Sequence, residues 1–81
     1  RVAFLLMKRY RKYAQNGVLK MKGDRQELSD FTGLCMKTIS RSIKKFKENG
    51  MITTQGSYIT INYEQYRRMK EMISEILAED L

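Results

Sequence analysis

Lys37, Ser40, Arg41 and Lys44 recur at three- and four-residue intervals, the spacing that gathers side chains on one face of a helix. All four donate hydrogen bonds, and three of them carry a positive charge. That set suits phosphate oxygens and the acceptor atoms of nucleic-acid bases. Arg41 is the best match to a base, because a planar guanidinium can donate to guanine O6 and N7 together. Lys37 can donate to a guanine or rest on a phosphate. In the same stretch Ile39, Ile43 and Phe46 stand at i, i+4 and i+7, an apolar stripe on another face. Met36 to about Asn49 is therefore predicted as a helix that buries one stripe and presents a basic face outward.

Reaction chemistry finds little to work with. The 81 residues contain no His and one Cys, too few soft ligands for a zinc site of the chain's own and too few thiols for an internal disulfide. No nucleophile–base pair and no Gly-rich phosphate cradle can be assembled, so an enzymatic role is not expected. Cys35 is read as a buried or half-buried structural thiol, and as a poor cap for the helix it precedes. The six methionines are read as core fillers and the five tyrosines as packing residues scattered over several elements. Glu71, Glu75 and Glu79 repeat every four residues and are read as a solvated helix face.

The elements that must position the basic face follow from local signals. Arg25 to about Thr32 is a second helix, opened by Asp24 with Glu27 in a capping-box pattern and carrying Leu28 and Phe31 on one face. Gly33 interrupts the run where a left-handed backbone costs least. Ahead of this pair, Val2 to Gln15 reads as a helix with Val2, Leu5, Leu6 and Tyr13 toward the core, stopped by Asn16-Gly17. Val18 to Met21 reads as a short strand. After the basic helix, Asn49-Gly50 repeats the stop signal, and Met51–Thr54 and Tyr58–Ile61 form a hairpin around Gln55-Gly56-Ser57. Asn62 with Gln65 opens a last helix, about residues 63–79, whose stripe is Tyr66, Met69, Ile73 and Ile76 or Leu77. The predicted class is mainly α with a small antiparallel sheet, in the order α-β-α-α-β-β-α, and residues 1–81 make a single domain.

Charge agrees with the basic face. The chain has 16 Lys and Arg against 9 Asp and Glu, a formal charge of +7, which favours a polyanion or an anionic membrane surface. Residues 1–50 hold 13 basic and 4 acidic side chains, whereas residues 51–81 hold 3 and 5. The positive potential therefore belongs to the half with the two-helix corner. No apolar run is long enough for a transmembrane helix. The run Val2–Met7 is short and leads into Lys8-Arg9-Tyr10-Arg11-Lys12, unlike a cleaved signal. A chain opening on Arg1 is expected to be a piece of a longer protein, and its lone thiol suits a reducing, cytoplasmic compartment.

From Asp24 to Ile61 the chain resembles the DNA-binding domain of the Crp/Fnr transcription regulators, a winged helix-turn-helix. The resemblance rests on Arg25-Gln26-Glu27-Leu28, Gly33, Thr38-Ile39-Ser40-Arg41 and Asn49-Gly50-Met51-Ile52 leading into the hairpin. It implies a helix-turn-helix over about 25–49, a wing over about 51–61, and sequence-specific binding of duplex DNA with the recognition helix, about 36–49, in the major groove. It further implies a homodimer in the full-length protein, with RNA polymerase as a possible partner. An effector domain would lie outside these residues, and no cofactor is expected within them. Three positions depart from the family pattern: Lys37 replaces a glutamate that accepts from cytosine, Met36 an arginine, and Ser42 an apolar residue. The preferred operator should differ accordingly.

Groove geometry then distributes the roles. A recognition helix brings its N-terminal side chains to the base edges, here Met36, Lys37, Ser40 and Arg41. Gln26, Thr38, Lys44 and the wing residues Ser57 and Tyr58 suit the phosphate backbone, which positions without specifying. Arg25, Lys45 and then Lys47 follow as lesser backbone candidates. Two rival readings stand beside this one. One is a winged-helix module for protein contacts through the last helix or the wing, and the other is a nonspecific nucleic-acid binder.

Overall fold

The structure, a computed structural model, describes residues 2–80 and the side chains of residues 2–76. Seven elements follow one another: α1 (Val2–Tyr13), β1 (Val18–Lys22), α2 (Arg25–Thr32), α3 (Met36–Glu48), β2 (Thr53–Gln55), β3 (Tyr58–Asn62) and α4 (Tyr63–Asp80). The three strands form one antiparallel sheet in the order β1-β3-β2. The predicted class and element order hold.

Alternation along the strands fixes which face meets the helices. Leu19 pairs with Ile61 and Met21 with Ile59, all buried, while Lys20 and Thr60 pair on the outer side. The helices close over the inner face, so that Leu6, Leu19, Leu28, Ile39, Ile52, Ile61 and Met69 are almost wholly removed from water. Nearly every element supplies one of these seven side chains, and Ile52 comes from the segment just before β2. A domain this small has no spare core, so each of them matters to stability.

Several boundaries and faces differ from the sequence reading. α1 ends at Tyr13 instead of Gln15, because Gln15 and Val18 exchange backbone bonds of 2.9 and 3.0 Å across Asn16-Gly17. Both turn residues have positive φ, 54° and 80°, the pattern of a tight type I′ turn that Asn-Gly favours. Within α1 the core residue is Tyr10, with Ala3 and Met7 beside Val2 and Leu6, whereas Tyr13 is 57% exposed and Leu5 only half-buried. Leu28 and Phe31 also part company: Leu28 is buried and Phe31 is 66% exposed, its ring 5.0 Å from the Arg9 guanidinium. Among the tyrosines, Tyr13, Tyr58 and Tyr63 are exposed instead of packed. The first wing strand runs over Thr53–Gln55 instead of Met51–Thr54, because Met51 is held in the helix stop that ends α3 and Ile52 goes to the core. In that stop Gly50 N–H bonds Lys47 O at 3.1 Å and Met51 N–H bonds Phe46 O at 2.9 Å around Gly50 at φ 72°. On α4 the stripe of Tyr66, Met69 and Ile73 is found, while Ile76 is exposed; the side chains of Leu77 and Glu79 lie outside the described residues.

Two caps hold the frame. Asn62 and Gln65 bond reciprocally, at 3.0 and 2.8 Å, across the start of α4. Gln65 Nε2 also donates to Gly50 O and Thr53 Oγ1, which joins the end of α3 to the wing. At α2 only half of the predicted box forms: Asp24 Oδ1 accepts from the N–H groups of Gln26 and Glu27, while the Glu27 carboxylate pairs with Arg9 at 3.2 Å.

Candidate nucleic-acid interface

Ile39 and Ile43 anchor α3, 0% and 4% exposed, and Phe46 packs partly against the same core. At about 100° per residue, Lys37, Arg41 and Lys44 fall within roughly 60° of one another on the opposite side. All three are exposed, as are Lys45 and Lys47. Glu48 closes the same face at its far end. Among the described residues the ion pairs are Arg9–Glu27, Arg67–Glu64 and Arg67–Glu71, so none of the α3 cations has a carboxylate partner. Apart from Glu48 at the far end, nothing on this face offsets their positive potential.

The turn before α3 sets its approach. Gly33 adopts the left-handed conformation at φ 73°, with its N–H bonded to Ser29 O at 2.8 Å. Ser29 Oγ donates to Leu34 O at 2.6 Å, and Leu34 N–H bonds Thr32 Oγ1 at 3.2 Å, so side chains of α2 hold the link to α3. Cys35 occupies the N-cap and makes no side-chain cap bond, as expected from its weak acceptor. It is not buried, however. The thiol is exposed, with Sγ 3.2 Å from Thr38 Oγ1. That side-chain bond is the main reason the thiol lies below its ordinary pKa. Met36 is likewise 46% exposed beside it, where a core filler had been one reading.

The remaining candidates are distributed around this helix. Ser40 is half-buried on the flank of the cationic face, where its Oγ accepts from Arg25 Nε at 2.9 Å. Arg25 thus reaches from the start of α2 to α3, a contact that sequence spacing does not suggest. It also borders a small cavity of about 40 Å³ shared with Ile43 of α3 and with Gly56, Ser57 and Tyr58 of the wing. Gln26 is turned along its own helix, donating to Asp30 Oδ1 at 3.0 Å. Thr38 is exposed and engaged with Cys35. Ser57 lies at the exposed hairpin tip and its carbonyl accepts from Gly23 N–H at 2.7 Å, which ties the wing to the approach of α2. A Cβ at Gly23 would meet Ile59 at 3.1 Å, so this junction is closely built.

Tyr58 is 43% exposed, and Lys20 Nζ sits 5.0 Å from its ring centroid. Lys20 and Lys22 of β1 are wing-side cations that the sequence reading passed over. The signal for them was the alternation of β1 together with its pairing to β3, and only the first half of that is local. Among the described residues no group of three or more His, Cys, Asp or Glu side chains is arranged for a metal, and no helix is long and apolar enough to cross a membrane.

Comparisons with known proteins agree with this architecture. Residues 1–66 match the Crp-like helix-turn-helix domain. The regulatory protein HlyX of Actinobacillus pleuropneumoniae is 50% identical over 38 residues, covering 47% of this chain and 16% of that protein. The fumarate and nitrate reduction regulatory protein of Escherichia coli K12 is 32% identical over 65 residues, covering 75% of this chain and 26% of its own length. The fumarate nitrate reduction regulatory protein of Klebsiella oxytoca matches to the same extent. The chain thus spans about a quarter or less of these relatives. With the family match extending over α1, the two-helix corner, the wing and the start of α4, this chain belongs to the Crp-like helix-turn-helix family of Crp/Fnr-type DNA-binding transcription regulators.

Proposed function

We propose that residues 1–81 form one DNA-binding unit that recognises a specific duplex sequence, with α3 inserted in the major groove. The observation that supports it best is the exposed face of Lys37, Arg41 and Lys44, which has no carboxylate partner among the described residues. Unpaired cations can take phosphates directly and release condensed counterions. Arg41 is assigned to a guanine, with Met36, Lys37 and Ser40 at neighbouring base edges. Arg25, Thr38, Lys44, Lys45, Ser57 and Tyr58 are assigned to the backbone, together with Gln26 once it leaves Asp30. The full-length protein is taken to be a cytoplasmic homodimer with an effector domain elsewhere, and RNA polymerase is its further partner. No catalytic role and no cofactor are assigned to the chain itself.

The test is selection of preferred duplexes by the full-length protein. A two-fold symmetric site should emerge, with half-sites about one helical turn apart, roughly 34–36 Å. The 81-residue chain alone should bind a half-site more weakly, by something like 10²–10⁴, because it lacks the linked second reader. Tight binding of that chain to a single asymmetric site would count against the dimeric reading. A second reading, protein contact, draws on an apolar cleft of about 310 Å³ lined by Val2, Phe4, Phe46, Met72, Ile73 and Ile76, among others. Ser42 and Phe46 line it from the side of α3 away from the cationic face, so a protein contact there is compatible with DNA on the other side.

A further inference from the structure

We propose that Gln65 is a positioning residue that fixes the wing relative to α3, so that both meet one duplex. The role rests on the reading above, with α3 in the groove and Ser57 and Tyr58 on the backbone. Among the described residues Gln65 is the one buried polar side chain, 9% exposed. Its partners fix which way the amide lies. Asn62 N–H can only donate, so it meets Oε1, at 3.0 Å. Gly50 O can only accept, so it meets Nε2, at 3.2 Å. The other Nε2 hydrogen goes to Thr53 Oγ1 at 3.1 Å. One planar group thus holds both ends of the link from Gly50, the left-handed stop of α3, to Thr53, the first residue of β2.

The wing needs such a hold. β2 is three residues long and none of its side chains is buried, so packing gives it no anchor beyond its pairing with β3 and Ile52 ahead of it. α3 is held separately, by Ile39 and Ile43. Apolar contact is non-directional and tolerates small rotations, whereas hydrogen bonds weaken steeply as they bend. A major groove and the phosphates beside it stand at fixed places on the duplex. A reader whose two parts are already set at the matching angle therefore loses less freedom on binding. Gln65 itself lies on α4, and no DNA contact is assigned to it.

The experiment uses the full-length regulator on its selected duplex. Affinity and hydroxyl-radical protection of the DNA sugars are read together, with folding checked by circular dichroism. Tyr58→Ala marks which protections belong to the wing. Gln65→Met keeps a chain of similar length and loses every side-chain bond. Gln65→Glu keeps the acceptor for Asn62 N–H, and with it the start of α4, but turns an acceptor toward Gly50 O. Thr53→Val removes one bond at an exposed position and carries the test if both Gln65 variants fail to fold. The Gln65 variants should lose the wing protections and keep those of α3, and Thr53→Val should lose part of them. Affinity should fall by about two- to tenfold, the range of one hydrogen bond. The charge in Gln65→Glu weakens attraction further, but over the whole site and not at the wing sugars alone. In a Tyr58→Ala background Gln65→Met should add little, because the contact it positions is already gone. If the Gln65 variants lower the thermal midpoint but keep wild-type wing protection, and add fully to Tyr58→Ala, the residue is structural only. That result overturns the proposal and leaves the groove reading untouched. If Tyr58→Ala and Ser57→Ala change neither protection nor affinity, the wing assignment fails and the proposal fails with it.

Discussion

The rings of Tyr10 and Tyr66 lie face to face, with centroids 4.3 Å apart and planes 12° from parallel. The pair joins the first helix to the last across more than fifty residues of sequence, and Tyr10 Oη also donates to Gly17 O at 2.7 Å. One side chain thus connects α1, α4 and the turn into the sheet. Tyr66→Ala should cost about 2–3 kcal/mol, from lost burial of a partly covered ring plus the stacking contribution. Tyr10→Phe keeps the stack and loses one bond, so about 0.5–1.5 kcal/mol is expected. Urea denaturation measures both. Equal, negligible losses would mean that the ring pair does not hold α1 to α4.

Gly33→Val should impair folding through the backbone alone. At φ 73° any L side chain is strained, yet a Cβ there would meet no heavy atom within 4 Å. The cost should therefore be that of a strained position, about 1–3 kcal/mol, without a clash. A thermal midpoint lower by roughly 4–8 °C per kcal/mol is expected for a domain of this size. Gly33→Asn should lose much less, because Asn tolerates the left-handed region. An unchanged midpoint for Val would show that the turn is not left-handed in solution.

Cys35 reports on where the start of α3 goes. Its pKa is lowered, chiefly by the Thr38 hydroxyl, so at a given pH more thiolate is present than on an unperturbed cysteine. The pH profile of its reaction with a disulfide reagent should be displaced toward lower pH, and Thr38→Val should move it back up. The selected duplex should then slow the reaction strongly, since the thiol sits at the N-cap of the helix proposed to enter the groove. Unaltered reactivity in the specific complex would place the start of α3 outside the groove.

Arg41→Ala and Lys44→Ala should fail in different ways. Losing a bidentate guanine contact should cost about 1–3 kcal/mol and relax preference at one base pair in each half-site. Lys44 lies nearly a turn further on, where a phosphate is the nearer partner. Its loss should weaken all sequences alike and flatten the log-affinity against log-salt slope by roughly 0.9 per lost contact. Both are measured on matched and scrambled duplexes over a salt series. Full retention of specificity by Arg41→Ala would remove it from the base-reading set, and wild-type behaviour of both variants would favour the protein-contact reading.

What the sequence determined by itself is what depends on neighbours a few residues away. The helical stripe of Ile39, Ile43 and Phe46, the left-handed Gly33, the Asn62–Gln65 cap and the basic face of α3 all involve groups within about two turns of one another. Such interactions form wherever the local chain is placed, so residue type and spacing suffice to name them. The tertiary structure decided the rest. α1 carries apolar or aromatic residues on more than one face, and the choice of Tyr10 over Tyr13 was made by the position of Tyr66 on α4. Phe31 has the side chain of a core residue and lies outside, with its ring against the Arg9 guanidinium of α1. Asn16-Gly17 serves as a helix stop or a hairpin turn with equal chemistry, and the pairing of β1 with β3, some forty residues on, selected the turn. The bond from Arg25 to Ser40 belongs to the same class. Contacts between distant segments depend on how all the elements close around one core, and no local spacing carries that information.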